Sequence, residues 1–205
     1  MGRPPRCYHP DGIYHLTTHG IDDRPIYRDD IDRQGFCIRF ARVVRSERWI
    51  IYAACLVDTH YHALVGPTLG RVSEGMRDLN GGYAKAFNLR HGRRGALFES
   101  RYREWTIRDE RHFANTVRYI EGNAVACGLA ESVDDWIWTT ANENSPLKAV
   151  SDTSFHHSTA AQFEKVSDTF SHRSTDSYLR RVSDTDGARL AEEVSDTSSP
   201  FSQLT

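Results

Sequence analysis

An α+β fold is predicted by three features of this 205-residue chain. Two short runs rich in β-branched and aromatic residues, 49–57 and 60–66, are separated only by the turn formers Asp58 and Thr59, the pattern of an antiparallel hairpin. Helical periodicity flanks this hairpin on both sides. A further strand-like run stands before the first helical pattern and another after the second.

Taken in order, residues 13–18 (Ile13-Tyr14-His15-Leu16-Thr17-Thr18) read as the first strand. Residues 29–46 place Phe36, Phe40, Val43 and Val44 at helical spacing and form the first helix. The hairpin at 49–66 follows. Residues 73–89 read as a second helix capped at Ser73. The basic, glycine-containing stretch 91–95 is a loop, and 102–107 is another strand. Residues 109–121 open with Asp109 and Glu110 and carry Phe113, Val117 and Ile120, continued by Ala124, as the apolar stripe of a third helix. Trp136 and Trp138 are expected to close the core. Strand, helix, strand, strand, helix, strand is the split βαβ order of a ferredoxin-like antiparallel sheet with packed helices.

Composition sets the outer limits. From residue 146 onward serine and threonine supply 19 of 60 residues, and Val-Ser-Asp-Thr recurs from Val150, Val166, Val182 and Val194. So polar a segment cannot bury enough surface to offset its ordering entropy. The reading is a catalytic domain over 1–145 and a disordered Ser/Thr-rich tail over 146–205. Repeat spacings of 16, 16 and 12 residues are too short and irregular for a solenoid. Cys7, Cys37, Cys55 and Cys127 lack paired spacing, which argues against a disulfide framework or a zinc knuckle. No apolar run approaches the ~20 residues of a membrane span, and Met1-Gly2-Arg3-Pro4 does not open a signal peptide. A cytoplasmic, nucleoid-associated location without membrane partners is expected.

The formal net charge of -2 conceals a basic window. Residues 77–118 hold ten Lys or Arg against five acids, 10 - 5 = +5, so phosphate contacts are expected there. Arg90, Arg93, Arg94, Arg101 and Arg103 are the candidate nucleic-acid contacts. Tyr83, Phe87, Phe98, Tyr102 and Trp105 lie in the same window and could stack bases, although core packing is the commoner use for Phe87 and Phe98.

Two short motifs carry chemistry. In a strand, residues two apart share a face, so His60 and His62 point the same way, close enough for one divalent ion, while Tyr61, Ala63 and Val65 face the other side. On the third helix Tyr119 and Asn123 are four apart and stack beside the apolar stripe.

These residues, with Tyr14-His15-Leu16-Thr17-Thr18-His19-Gly20, Asp58-Thr59-His60-Tyr61-His62, Tyr83-Ala84-Lys85-Ala86-Phe87-Asn88, the stretch from His91 to Tyr102 and Arg118-Tyr119-Ile120-Glu121-Gly122-Asn123, resemble the single-tyrosine transposases of the His-hydrophobe-His (HUH) class. The REP-associated tyrosine transposases are the closest subgroup. The resemblance spans about residues 14–138. It implies metal ligands at His60 and His62, a nucleophile at Tyr119 and a possible third ligand at Asn123. Three positions depart from the family pattern: Thr59 where Asn is frequent, His19-Gly20 for Arg-Gly, and Asn123-Ala124 for Asn-Pro.

The implied activity is metal-dependent single-strand DNA cleavage and strand transfer through a 5′-phosphotyrosine, at or near palindromic hairpins. A phenol with a reference pKa of about 10 is poorly ionised at neutral pH, and a divalent ion, Mg²⁺ or Mn²⁺, offsets this by polarising the phosphoryl oxygens. The partner is single-stranded or hairpin DNA, bound by a monomer or homodimer. Val-Ser-Asp-Thr can be encoded as GTG-TCN-GAC-ACN, whose GTGTC-N-GACAC is an inverted repeat, so the tail is compatible with a reading frame running through short palindromes. Two other readings stand beside this one: a catalytically silent hairpin-binding regulator of the same fold, and a two-histidine phosphoesterase suggested by His15-Leu16-Thr17. The second needs another His-x-Thr/Ser motif on a paired strand, and only His157-Ser158-Thr159 in the tail offers it.

Overall fold

The hairpin and the strand runs on either side of it assemble into one four-stranded sheet in the computed structural model, which describes residues 8–152. In chain order the elements are β1 (Tyr14–His19), α1 (Asp30–Glu47), β2 (Trp49–Leu56), β3 (His60–Pro67), α2 (Val72–Arg90), β4 (Arg103–Thr106), α3 (Glu110–Glu121), α4 (Asn123–Ala126) and α5 (Pro146–Asp152). The strand order is β2-β3-β1-β4 and every neighbouring pair is antiparallel. The α1 crossover leaves a gap between β1 and β2, and β3 folds back into it. This is the ferredoxin-like arrangement that the element order predicts.

Strand alternation splits the side chains into two layers. Register pairs Thr17 with His62 and His19 with His60, so His15, Thr17, His19, His60, His62 and Leu64 share one face. On the other face Tyr14, Leu16, Tyr61, Ala63 and Val65 meet Phe36, Phe40, Val43 and Val44 of α1 and Met76, Leu79, Tyr83 and Phe87 of α2. The α2 helix crosses so near the sheet that a Cβ on Gly75 would lie 2.3 Å from Trp49 Cζ2, which makes Gly75 a packing requirement. The histidine face has a smaller core, Ala53, Cys55 and Leu64 with Ile120 and Ala124, closed over β2 and β3 by α3. A bulge between Ile51 and Ala53 turns Tyr52 to this side as well, edge-on to Phe113 with ring centres 5.2 Å apart.

Local signals account for most helix ends. The Asp29 side chain accepts from the Asp32 amide at 3.0 Å, and Asp109 accepts from the His112 amide at 2.8 Å, as expected of N-caps. Ser73 is not a cap: α2 begins at Val72, whose fully buried side chain docks in the core, and Ser73 Oγ lies 3.1 Å from the Tyr102 hydroxyl. The tyrosine helix stops at Glu121, and α4 resumes after Gly122 to carry Asn123. Trp138 is buried, as expected. Its carbonyl accepts from Leu56 N, and Thr140 N donates to Ala54 O, so residues 138–140 cover the edge of β2.

The core reaches past the predicted boundary at residue 145. The short α5 helix packs on α1 and β2, with Leu147 at 0 % and Val150 at 3 % exposure. Two apolar residues three apart in a seven-residue helix, set in a serine-rich background, give too little periodicity to read. The remainder of the predicted tail, including His157-Ser158-Thr159 and the later Val-Ser-Asp-Thr copies, lies outside the described residues. Truncation before Pro146 is therefore expected to cost more than truncation after Asp152. Burial of two aliphatic side chains is worth roughly 3–6 kcal/mol, or on the order of 10 °C in Tm for a chain of this size. Thermal unfolding of the two truncations checks it, and equal Tm values would show that α5 adds nothing.

Candidate active site

Among the described residues, one half of the histidine face is covered by a helix. The α3 helix closes it over β2 and β3, while β1 and β4 form its other half, and the site lies where the two meet. The His60 and His62 rings have centres 4.9 Å apart at 86°. Tyr119 stands edge-on to His62 at 5.3 Å and to His15 at 6.1 Å, and it keeps 37 % exposure. Asn123 is buried one turn on, and its side chain hydrogen-bonds the His60 imidazole. All four residues singled out for the chemistry thus come together.

The turn ahead of His60 is anchored from below. Arg33 of α1 forms an ion pair with Asp58 and lies over the rings of Trp136, at 5.3 Å, and Trp138, at 6.0 Å. Next to it, Thr59 Oγ1 sits 3.0 Å from His60 Nδ1. Two of the three departures noted in the sequence attend the first histidine: Thr59 bonds it and His19 stacks on it at 4.5 Å and 10°.

Burial holds these imidazoles neutral. It lowers His60 to about 4, with His19 adding to the effect, and His15 to about 3, with His112 adding. His62 lies well below its ordinary value because it is buried next to His15 and His60. A histidine depressed on folding takes up its proton first in the unfolded chain. Stability is therefore full above about pH 6.5 and is lost as pH falls toward 3. For the buried His15 alone the loss is about 2 kcal/mol at pH 5. Urea midpoints should fall steeply between pH 7 and 5, and the fall should flatten in His15→Phe. A midpoint independent of pH over that range would contradict the burial argument.

Neutral imidazoles are also what a cation requires. Among the described residues His62 Nε2 is buried with no hydrogen-bond partner, a ring nitrogen that a ligand could satisfy. Asn123, buried next to His60, offers an amide oxygen beside the pair. These donors fit a divalent ion. Among the described residues no group of three or more His, Cys, Asp or Glu could hold one, so the protein would give two imidazoles and an amide oxygen, with the rest from water and substrate.

The basic window is divided by the fold. Arg90 is not free to meet phosphate: it bonds Asp29 at 2.7 Å and the buried Asp32 at 2.5 Å, clamping the end of α2 to the start of α1. It also holds the Asp29 carboxyl down to about 2. Arg93 lies 5.7 Å over the Phe87 ring and bonds Ala96 O at 3.4 Å. Arg94, Arg101 and Arg103 are exposed, and Arg103 stands opposite Thr17 on the histidine face. Of the aromatics, Tyr83, Phe87 and Tyr102 are buried in the α1–α2 core and Phe98 packs against it. Trp105 alone of these reaches the site, 5.2 Å from His15.

No protein-family model and no curated protein matches the chain. Among solved structures, a REP-associated tyrosine transposase bound to a REP hairpin superposes with a TM-score of 0.55 at 22 % identity, over 68 % of this chain and 82 % of that one. The chain has the REP-associated tyrosine transposase fold. A candidate transposase from Deinococcus radiodurans R1 aligns at 19 % identity with a TM-score of 0.41, over 60 % of this chain and 95 % of that one. Among the described residues no helix is long and apolar enough to cross a membrane.

Proposed function

We propose that the chain is a transposase-type enzyme that nicks and rejoins single-stranded DNA at palindromic hairpins, with Tyr119 as nucleophile. The observation that carries this reading is the convergence of a partly exposed phenol on two neutral imidazoles and an amide, one of the imidazoles having a buried unpartnered nitrogen. The hairpin bound by the solved transposase of this fold supports hairpin DNA as the partner.

Tyr119 Oη attacks the phosphorus, a P–O bond to tyrosine forms as the P–O3′ bond breaks, and the phenol proton passes in net to the departing 3′-oxygen. His60, His62 and Asn123 would hold a divalent ion, Mg²⁺ or Mn²⁺, which supplies Lewis acidity to the phosphoryl oxygens. Reverse attack by a 3′-hydroxyl rejoins strands without ATP, since the phosphotyrosine conserves the ester bond. Arg94, Arg101 and Arg103 are placed to meet the phosphate backbone. Incubation with labelled hairpin DNA should give an adduct that survives denaturing detergent. Tight binding with no adduct and no cleavage would instead support the silent regulator, a reading that leaves the orphaned His62 nitrogen without a purpose.

A further inference from the structure

His15 is buried on β1 with Nε2 2.9 Å from His62 Nδ1. One of the two nitrogens carries the shared proton. If His15 donates, His62 Nε2 bears a hydrogen in a buried place without an acceptor, and an orphaned buried N–H is a rare and costly state, roughly 1–3 kcal/mol. If His62 Nδ1–H donates instead, Nε2 is a bare lone pair. The His60 side repeats the pattern, because Thr59 Oγ1 meets its Nδ1 at 3.0 Å and can accept that proton. Each imidazole of the pair thus has an acceptor at Nδ1, as histidine ligands of metals do. Trp105 and Tyr119 pack around His15, with ring centres 5.2 and 6.1 Å away, and restrict its rotation.

The geometry points to His15 as a positioning residue: its Nε2 accepts the Nδ1–H of His62 and thereby turns the Nε2 lone pair of His62 toward the cation shared with His60 and Asn123. The assignment rests on the ion-binding reading proposed above, but its tautomer can be measured without any ion. Long-range ¹H–¹⁵N correlation on the ion-free protein should show His62 as the Nδ1–H form, and an Nε2–H form overturns the assignment. In parallel, calorimetric Mn²⁺ titration should show binding roughly 10–100-fold weaker in His15→Phe. His15→Gln, whose amide oxygen reaches the Nε2 position, should recover to within about threefold of wild type. Wild-type affinity in His15→Phe would refute the positioning role and leave the ion site standing. Failure of the wild type itself to bind Mn²⁺ would refute the ion site, and the tautomer then decides the role of His15 alone. Should His15→Phe not fold, the wild-type tautomer again decides.

Discussion

Tyr119→Phe is expected to remove DNA cleavage and the covalent adduct, by at least about 10³-fold, while hairpin affinity changes little. Only one oxygen is deleted. The ring keeps its edge-on contacts with His62 and His15 and, at 37 % exposure, contributes little to the core, so the melting temperature should barely move. Other tyrosines of the basic window cannot stand in for it. Tyr83 donates its hydroxyl to Ile26 O inside the α1–α2 core, and Tyr102 is buried with its hydroxyl near Ser73 and Tyr8 on that same side of the sheet. An adduct persisting in Tyr119→Phe would therefore undo the proposed chemistry rather than move it to a neighbour. Gel separation of protein–DNA adducts, run beside a binding titration, reads both quantities.

What could be read from the chain depended on range. Strand parity at His60 and His62 is local and survives in the structure with the expected face; the four-residue step from Tyr119 to Asn123 is equally local, but Gly122 ends the tyrosine helix and Asn123 stands on α4. The N-caps Asp29 and Asp109 are local too. The contacts of His15 and His19 with the His60–His62 pair were not legible. Their meaning depends on the antiparallel register of β1 against β3, which brings together residues 41 to 47 positions apart, and one strand carries no information about its partner's register. Parity within residues 13–18 does put His15 and Thr17 on one face, which is as far as that signal goes. Arg90 shows the same limit from the electrostatic side: a charge run does not reveal that Asp29 and Asp32, some sixty residues earlier, have already claimed one of its members. The aromatics divide likewise, since helical spacing places Tyr83 and Phe87 on an apolar stripe but cannot say that Trp105 alone borders the site.

Removal of the ion, or of either imidazole proposed to hold it, should have an effect of similar size. Chelation by EDTA should abolish cleavage by the wild type, with recovery on added Mg²⁺ or Mn²⁺, and His60→Ala or His62→Ala should each lose on the order of 10²-fold or more. Two imidazoles furnish only part of an octahedral shell, so either loss leaves a site too poor to compete with water. The two variants differ in what else they disturb. His62 is 4 % exposed and bonds His15, so its truncation opens a cavity and strands the His15 nitrogen, a cost of about 2–4 kcal/mol in stability. His60 is less buried, as is the neighbouring Thr59. It is thus the cleaner test, requiring that cleavage vanish while the Tm falls by only a few degrees. Asn123→Ala should be milder, about tenfold, because a neutral amide oxygen is a weak ligand that water can replace. Activity that tracks Tm across the three variants would mean that they act through folding. Full cleavage by EDTA-treated protein would remove the ion from the mechanism and leave the buried His62 nitrogen to be explained by its packing alone.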